Sequence, residues 1–231
     1  MNNQISVIAF DADDTLWVNE TYFRETEEKF CQLLSDYVAT DEAMKVLFET
    51  EIANLSLYGY GIKGFILSMI ETILIVSNHT AKPETIAKAI NLGKEMFDKP
   101  VELIDGVEEV LKMLYGKYRL VVATKGDLLD QERKLKKSGL SHYFHHIEIM
   151  SDKKESDYIK LIKHLDCLPE EFLMLGNSLK SDVLPVLAIG GNAVHIPFHT
   201  TWMHEQVDEE ILHANFYQMS VLGDVLQKLG I

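Results

Sequence analysis

Five short apolar runs constrain this chain more than any other feature: "ISVIAFD", "YRLVVAT", "HIEIM", "FLMLGN" and "NAVHIP". Each is too short for a helix that buries a face, each ends at a polar or turn residue, and most are apolar on both faces. That is the pattern of parallel strands covered by helices on either side. The later runs are separated by helical patterns. "DGVEEVLKMLYGKY" has apolar residues at helical spacing and stops near Gly116, "DLLDQERKLKKSGL" stops near Gly139, "SDYIKLIKHL" precedes Pro169, and "SDVLPVLAIGG" leads into the fifth run. Alternating strands and helices predict an α/β fold with a doubly wound, mostly parallel sheet. The rhythm fails between Trp17 and about Pro100, where "RETEEKFCQLLSDYVA", "AMKVLFETEIANL", "GFILSMIETILIV" and "PETIAKAINLGKEMF" offer helices only. We therefore expect residues 1–17 and 101–231 to build the sheet domain and residues 18–100 to form a helical insertion.

Composition bounds the partners. A formal net charge of -14 repels nucleic acid phosphates and anionic lipid, so neither is expected as a partner. A small phosphorylated ligand remains compatible, because one or two local cations reverse the field inside a pocket. Cys31 and Cys167 form no spacing motif and read as core filler in a reducing compartment. "MNNQISVIAF" has no basic region or cleavage pattern, and "FILSMIETILIV" is too short to span a bilayer. The expectation is a cytoplasmic protein without a membrane segment; oligomeric state is not legible.

Ligands of open α/β sheets bind outside the carboxyl ends of the strands. Four of the five strand ends are chemically loaded: Asp11, Asp13, Asp14 and Thr15 after the first, Thr124 and Lys125 at the second, Lys153 and Lys154 after the third, and Asn177, Ser178, Ser181 and Asp182 after the fourth. In this order the four sets resemble the motifs of the haloacid dehalogenase superfamily, phosphohydrolases with an aspartate nucleophile. "DADDT" matches D-x-D-x-T, "VVAT" an apolar strand ending in Thr, Lys153 the conserved-type lysine, and "LGNSLKSD" the acidic fourth motif. The helical insertion after the first motif is similar to the helical cap of the C1 type. The likeness covers nearly the whole chain and implies a Rossmann-like core.

The resemblance implies a division of labour. Asp11 is the nucleophile, and Asp13 protonates the leaving oxygen and then activates water. The Thr124 hydroxyl and the Lys125 backbone N–H bind the phosphoryl group, and Lys153 balances charge. Asp11, the Asp13 carbonyl and Asp182 hold Mg²⁺, an ion that prefers oxygen ligands. The electrostatic need is plain: a phosphate dianion about 4 Å from a carboxylate costs roughly 8 kcal/mol at an effective dielectric near 20. Asn177 departs from the family, which more commonly has aspartate there; the amide can accept but brings no charge, which predicts weaker Mg²⁺ binding. A one-residue slip would move the lysine role from Lys153 to Lys154. Asp14 stands where many relatives have glycine and is assigned no chemistry.

The implied activity is hydrolysis of a small phosphorylated metabolite through an aspartyl-phosphate, with a cap that excludes water and reads the leaving group. The alternatives are a phosphomutase, which returns the phosphoryl group, and a phospholigand-binding protein whose catalysis has decayed. "YGYGIKGF" reads as a connection between insertion helices, either a specificity loop using Tyr58, Tyr60 or Lys63 or a tight turn. His195, His199 and His204 follow the fifth run and His142, His145 and His146 precede the third; the His195–His199 spacing would suit a helix face, but Pro197 and the strand argue against it, and both sets read as scattered or hydrogen-bonding histidines rather than zinc ligands.

Overall fold

The computed structural model describes residues 5–207 and 210–231. The stretch "MNNQ", on which the expectation about a leader partly rests, lies outside the described residues. The chain divides into two compact units: Met1–Glu20, Val101–Lys125 and Glu132–Ile231 form the first, and Thr21–Pro100 with Gly126–Gln131 the second.

In the first unit, six strands among the described residues form one parallel sheet. They are β1 (Val7–Phe10), β2 (Arg119–Lys125), β3 (His146–Met150), β4 (Phe172–Gly176), β5 (Asn192–His195) and β6 (Phe216–Gln218), in the order β3-β2-β1-β4-β5-β6. This is a doubly wound sheet that reverses direction at β1 and β4, where a ligand crevice opens beyond the strand ends. β1 pairs with β2 and β4, Phe10 lying opposite Val122 and Leu175. Its continuous apolar run is explained by its two covered faces. Ile8 and Phe10 pack with Val107, Val110 and Leu111 of helix α5 (Val107–Leu114), whereas Val7 and Ala9 pack with Tyr158, Leu161 and Ile162 of helix α7 (Glu155–His164). Burying a large aliphatic side chain of this kind contributes roughly 1.5–3 kcal/mol. β6 was not foreseen in the sequence. It is three residues long, half-exposed and at the sheet edge, so it carries no buried alternation to read.

Helices α1 (Glu20–Leu33), α2 (Thr40–Tyr58), α3 (Ile62–Val76) and α4 (Pro83–Asp98) supply the second unit, whose core holds Phe30, Leu34, Leu47, Phe65, Met69 and Ile73. Pro83 opens α4 where a missing N–H costs nothing. Gly59 and Gly61, at φ 71° and 99°, make the turn between α2 and α3; Gly64 lies inside α3 instead of in the connection. Tyr58 donates to Glu71, and Lys63 pairs with Asp127 at 2.9 Å. Gly126–Gln131, at the start of α6 (Leu128–Ser138), groups with the helices, and residues 18–20 group with the sheet.

The insertion leaves and rejoins the sheet unit along paired backbones. Val18 N–H donates to Glu102 at 2.9 Å, Ile104 N–H to Leu16 at 3.0 Å, and Trp17 forms an antiparallel bridge with Leu103.

Gly93 sits in the middle of α4, where glycine costs about 1 kcal/mol relative to alanine. A Cβ there would lie 2.1 Å from Ile66 Cγ1. Because a helical isoleucine has one strongly preferred χ1 rotamer, Ile66 cannot simply swing aside. Gly93→Ala is expected to lower stability by about 1–3 kcal/mol despite its better helix propensity, with part of the loss recovered by adding Ile66→Ala. Urea denaturation of both variants checks this; a stabilised single variant refutes the close-approach reading.

Candidate active site

The strand ends place the sequence-selected residues unevenly. β1 delivers Asp11, whose own N–H donates to Leu175 at 2.9 Å. The next residues make a tight turn, with Leu16 N–H donating to Ala12 at 2.8 Å, so Asp13 and Asp14 sit on its outer part. Asp14 takes φ 61°, the left-handed region that favours glycine. Its carboxyl accepts from Asn19 N–H at 2.8 Å and Glu20 N–H at 3.0 Å, which satisfies backbone donors at the start of α1. Asp14 is thus a buried capping residue. Burial pushes its carboxyl up to about 7, against the pull of the bond from Asn19.

Lys153 is the electrostatic centre. It enters from the loop after β3, where Asp152 Oδ1 accepts its N–H at 2.8 Å, and its side chain is 1% exposed. The ammonium donates to Asp11 Oδ1 and, at 2.6 Å, to Asp182 Oδ1. Burial alone would drive Lys153 toward neutrality, but the charges of Asp11 and Asp182 outweigh it and hold its pKa above the ordinary value. Burial pushes Asp11 up to about 7, a rise opposed by Lys153 and reinforced by Asp182 and Asp13. Lys154, one residue on, is exposed and pairs with Asp152 at 2.9 Å.

Asp182 is held by its own turn. Its Oδ2 accepts from Ser178 N–H at 3.0 Å, and Gly176 makes room for it, since a Cβ on that glycine would lie 2.2 Å from Oδ2. Tyr158, fully buried, donates to Ser181 O at 3.0 Å and braces the same turn from α7.

Asn177 sits at the end of β4, on the other oxygen of Asp11. Its amide lies 3.3 Å from Asp11 Oδ2, Thr15 Oγ1 and the Asp13 carbonyl, and turning its NH₂ toward them gives all three a donor. This is the spot where oxygen donors converge. Asp11 Oδ2 and the Asp13 carbonyl make a hard oxygen pair suited to Mg²⁺, and in the opposite amide orientation Asn177 adds its neutral oxygen where an aspartate would add a second carboxylate. Asp182 is committed to Lys153 and Ser178. His195 Nε2 bonds the Asn177 carbonyl at 3.0 Å, in keeping with its reading as a hydrogen-bonding rim residue.

Asp13 is held by a different lysine. Its carboxyl takes two contacts from Lys134 Nζ, at 2.6 and 2.8 Å, and one from Trp17 Nε1 at 2.7 Å. Thr124 is buried at the end of β2, its hydroxyl 3.3 Å from the Lys125 carbonyl. The Lys125 side chain runs to Ser181 Oγ at 2.8 Å and Glu205 Oε1 at 2.5 Å.

Two of these residues escaped the sequence reading. Lys134 lies on the charged face of α6, and Glu205 lies in a short turn, Met203–Glu205, far along the chain. Neither has a local motif; "WMHE" would have yielded Glu205 only to someone asking what could neutralise Lys125.

A family model of the haloacid dehalogenase-like hydrolases matches residues 5–190. The chain belongs to this hydrolase family. A haloacid dehalogenase-like hydrolase from Xanthomonas campestris is similar in structure, with a TM-score of 0.86 and 36% identity over 98% of this chain and 92% of that one. A HAD hydrolase of Bacillus subtilis, in a crystal form bound to magnesium, shares the fold at a TM-score of 0.69 and 16% identity, covering 99% and 100% of the two chains. A glyceraldehyde 3-phosphate phosphatase of Methanothermobacter thermautotrophicus is 26% identical over 116 residues. That match covers 48% of this chain, which spans about half (49%) of the relative's length. Among the described residues of this hydrolase, no helix is long and apolar enough to cross a membrane.

Glu205 gives the hydrolase a pH signature in its stability. Burial raises the carboxyl's pKa, but Lys125 and the donors from Ser178 and Ser181 outweigh it and bring it from 4.5 to about 2. A depressed carboxyl stabilises the fold above its unfolded value and loses that contribution as pH falls through the folded one. Between about pH 5 and 2, wild type is expected to lose up to about 3 kcal/mol more than Glu205→Gln. Chemical denaturation across that range tests this, and parallel losses would show that the ion pair adds nothing.

Proposed function

We propose that this chain is a Mg²⁺-dependent phosphatase that hydrolyses a small phosphate monoester through an aspartyl-phosphate on Asp11. The buried Lys153 ammonium between the Asp11 and Asp182 carboxylates carries the reading. Two buried carboxylates and one ammonium leave a net negative charge, and a phosphate dianion cannot enter unless a further cation is present. The residues that would hold it are Asp11, the Asp13 carbonyl and Asn177, with Asp182 close by through Lys153; a bound Mg²⁺ would supply the charge that draws the phosphate to a carboxylate.

The protein's own groups perform the rest. An Asp11 carboxylate oxygen forms the bond to phosphorus while the ester oxygen leaves with the P–O bonding pair. Asp13 gives that oxygen a proton, and then takes one from the water that attacks the aspartyl-phosphate, which returns Asp11 as carboxylate and releases phosphate. Lys134 and the Trp17 indole fix where the Asp13 carboxyl points. The Thr124 hydroxyl and the Lys125 backbone N–H hold a phosphoryl oxygen; the Lys125 side chain, tied to Glu205, is kept out of that contact. The work is positioning and electrostatics. The residues from 18 to 100 are read as the family's cap domain, because they are inserted directly after the first motif. A small metabolite is the favoured substrate, and the curated relative's name makes glyceraldehyde 3-phosphate a sensible member of a test panel.

Phosphate release from p-nitrophenyl phosphate and a metabolite panel, with and without Mg²⁺, tests the reading. Turnover should require Mg²⁺ and fall by at least about a hundredfold in Asp11→Asn, which keeps the shape and removes the nucleophile. Equal turnover in the variant, or isomer formation without phosphate release, defeats it. Asn177→Asp should restore a second anionic ligand and lower the Mg²⁺ concentration giving half-maximal activity about tenfold; an unchanged Mg²⁺ dependence would place the ion away from Asn177.

A further inference from the structure

Outside the catalytic end of the sheet, three metal-binding side chains meet at its opposite margin. β3 is an edge strand, and residues two apart on a strand share a face, so His146 and Glu148 both point toward α7. His164 is the last residue of α7 and reaches the same place. His146 Nε2 lies 2.7 Å from Glu148 Oε2, the His146 and His164 imidazole rings are tilted by 38° with centroids 4.7 Å apart, and the ligand atoms of all three residues lie within 4.8 Å of one another.

We propose that His146, Glu148 and His164 bind a divalent transition-metal ion, Zn²⁺ foremost, at a site separate from the catalytic one. Two imidazoles and a carboxylate are a borderline N₂O set that suits Zn²⁺, Co²⁺, Ni²⁺ or Cu²⁺ and is poor for Mg²⁺, which prefers oxygen. The geometry is close. Ligand atoms about 2.1 Å from a tetrahedral ion lie roughly 3.4 Å apart, so the His146–Glu148 pair must open slightly and His164 close by about an ångström. His164 is exposed and at a helix end, free to make that adjustment. On binding, the His146 ring proton sits on Nδ1, Nε2 offers its lone pair, and the hydrogen bond to Glu148 is replaced by two metal bonds. Three protein ligands leave one position for water or for a donor from another molecule. The ion would staple the exposed edge strand to the end of the helix that follows Lys153.

Zn²⁺ and Co²⁺ titrations of the full chain, in Mg²⁺ high enough to saturate the catalytic carboxylates, test the site. One equivalent should bind, with visible Co²⁺ absorption and a chelator-reversible rise in Tm. His164→Ala, at an exposed position, and Glu148→Gln should each weaken binding at least about tenfold, and His146→Ala should abolish the Tm rise. His164→Ala should leave Mg²⁺-dependent phosphate release unchanged. Repeating the titration in Asp11→Asn separates this site from the proposed activity: binding should persist there whether or not the enzyme turns over. Equal Zn²⁺ affinity in wild type and His164→Ala, or no binding tighter than millimolar, overturns the proposal.

Discussion

A single ammonium, that of Lys153, sets the terms for the rest of the sheet's carboxyl end. Moving a charge that size out of water costs several kcal/mol even after relaxation, and only a second charge in close contact returns it. Lys153 has two, Asp11 and Asp182, which follow the ends of the adjacent strands β1 and β4 at the switch point. Much of the neighbouring architecture follows. Asp182 reaches the ammonium because Gly176 leaves space and the Ser178 N–H holds its other oxygen. Tyr158 fills the gap beneath and ties the turn at Ser181. Thr15 and Asn177 occupy the face of Asp11 that Lys153 does not.

A second network lies beside the first and shares the Ser178–Asp182 turn with it. Glu205 gathers the hydroxyls of Ser178 and Ser181 and the Lys125 ammonium, so one carboxylate from beyond β5 fixes the ends of β2 and β4 together. The backbone of Lys125 and the carboxylate of Asp182 are therefore positioned by a common support. Hydrogen bonds of this charge-assisted kind are shorter and stronger than neutral ones, and they specify geometry as well as stability.

The fold was legible because its signal is local: apolar runs that bury both faces cannot be much other than central parallel strands. The residues at their ends were legible for the same reason, since a strand carries its terminal carboxylate or lysine to one edge of the sheet. What escaped depends on contacts between distant segments. Lys134 reads as one more charge on a helix whose neighbours are also charged, and only its approach to Asp13 distinguishes it. Glu205 lies 80 positions along the chain from Lys125 and 27 and 24 from Ser178 and Ser181. Asp14 looked idle because its work is backbone capping in a conformation that no side-chain pattern announces. His146 and His164 are 18 positions apart and meet only because a strand edge and a helix end coincide. Asn177 was visible as a departure, but its three oxygen neighbours were not.

The paired backbones at Trp17–Leu103 and Val18–Glu102 hold the two ends of the insertion side by side. Loop-closure entropy grows only with the logarithm of length, so doubling such an excursion costs about 0.6 kcal/mol. To the sheet, the intervening chain is a parenthesis whose contents are thermodynamically almost invisible. Evolution can lengthen, shorten or exchange it without retuning the carboxylates a few residues upstream.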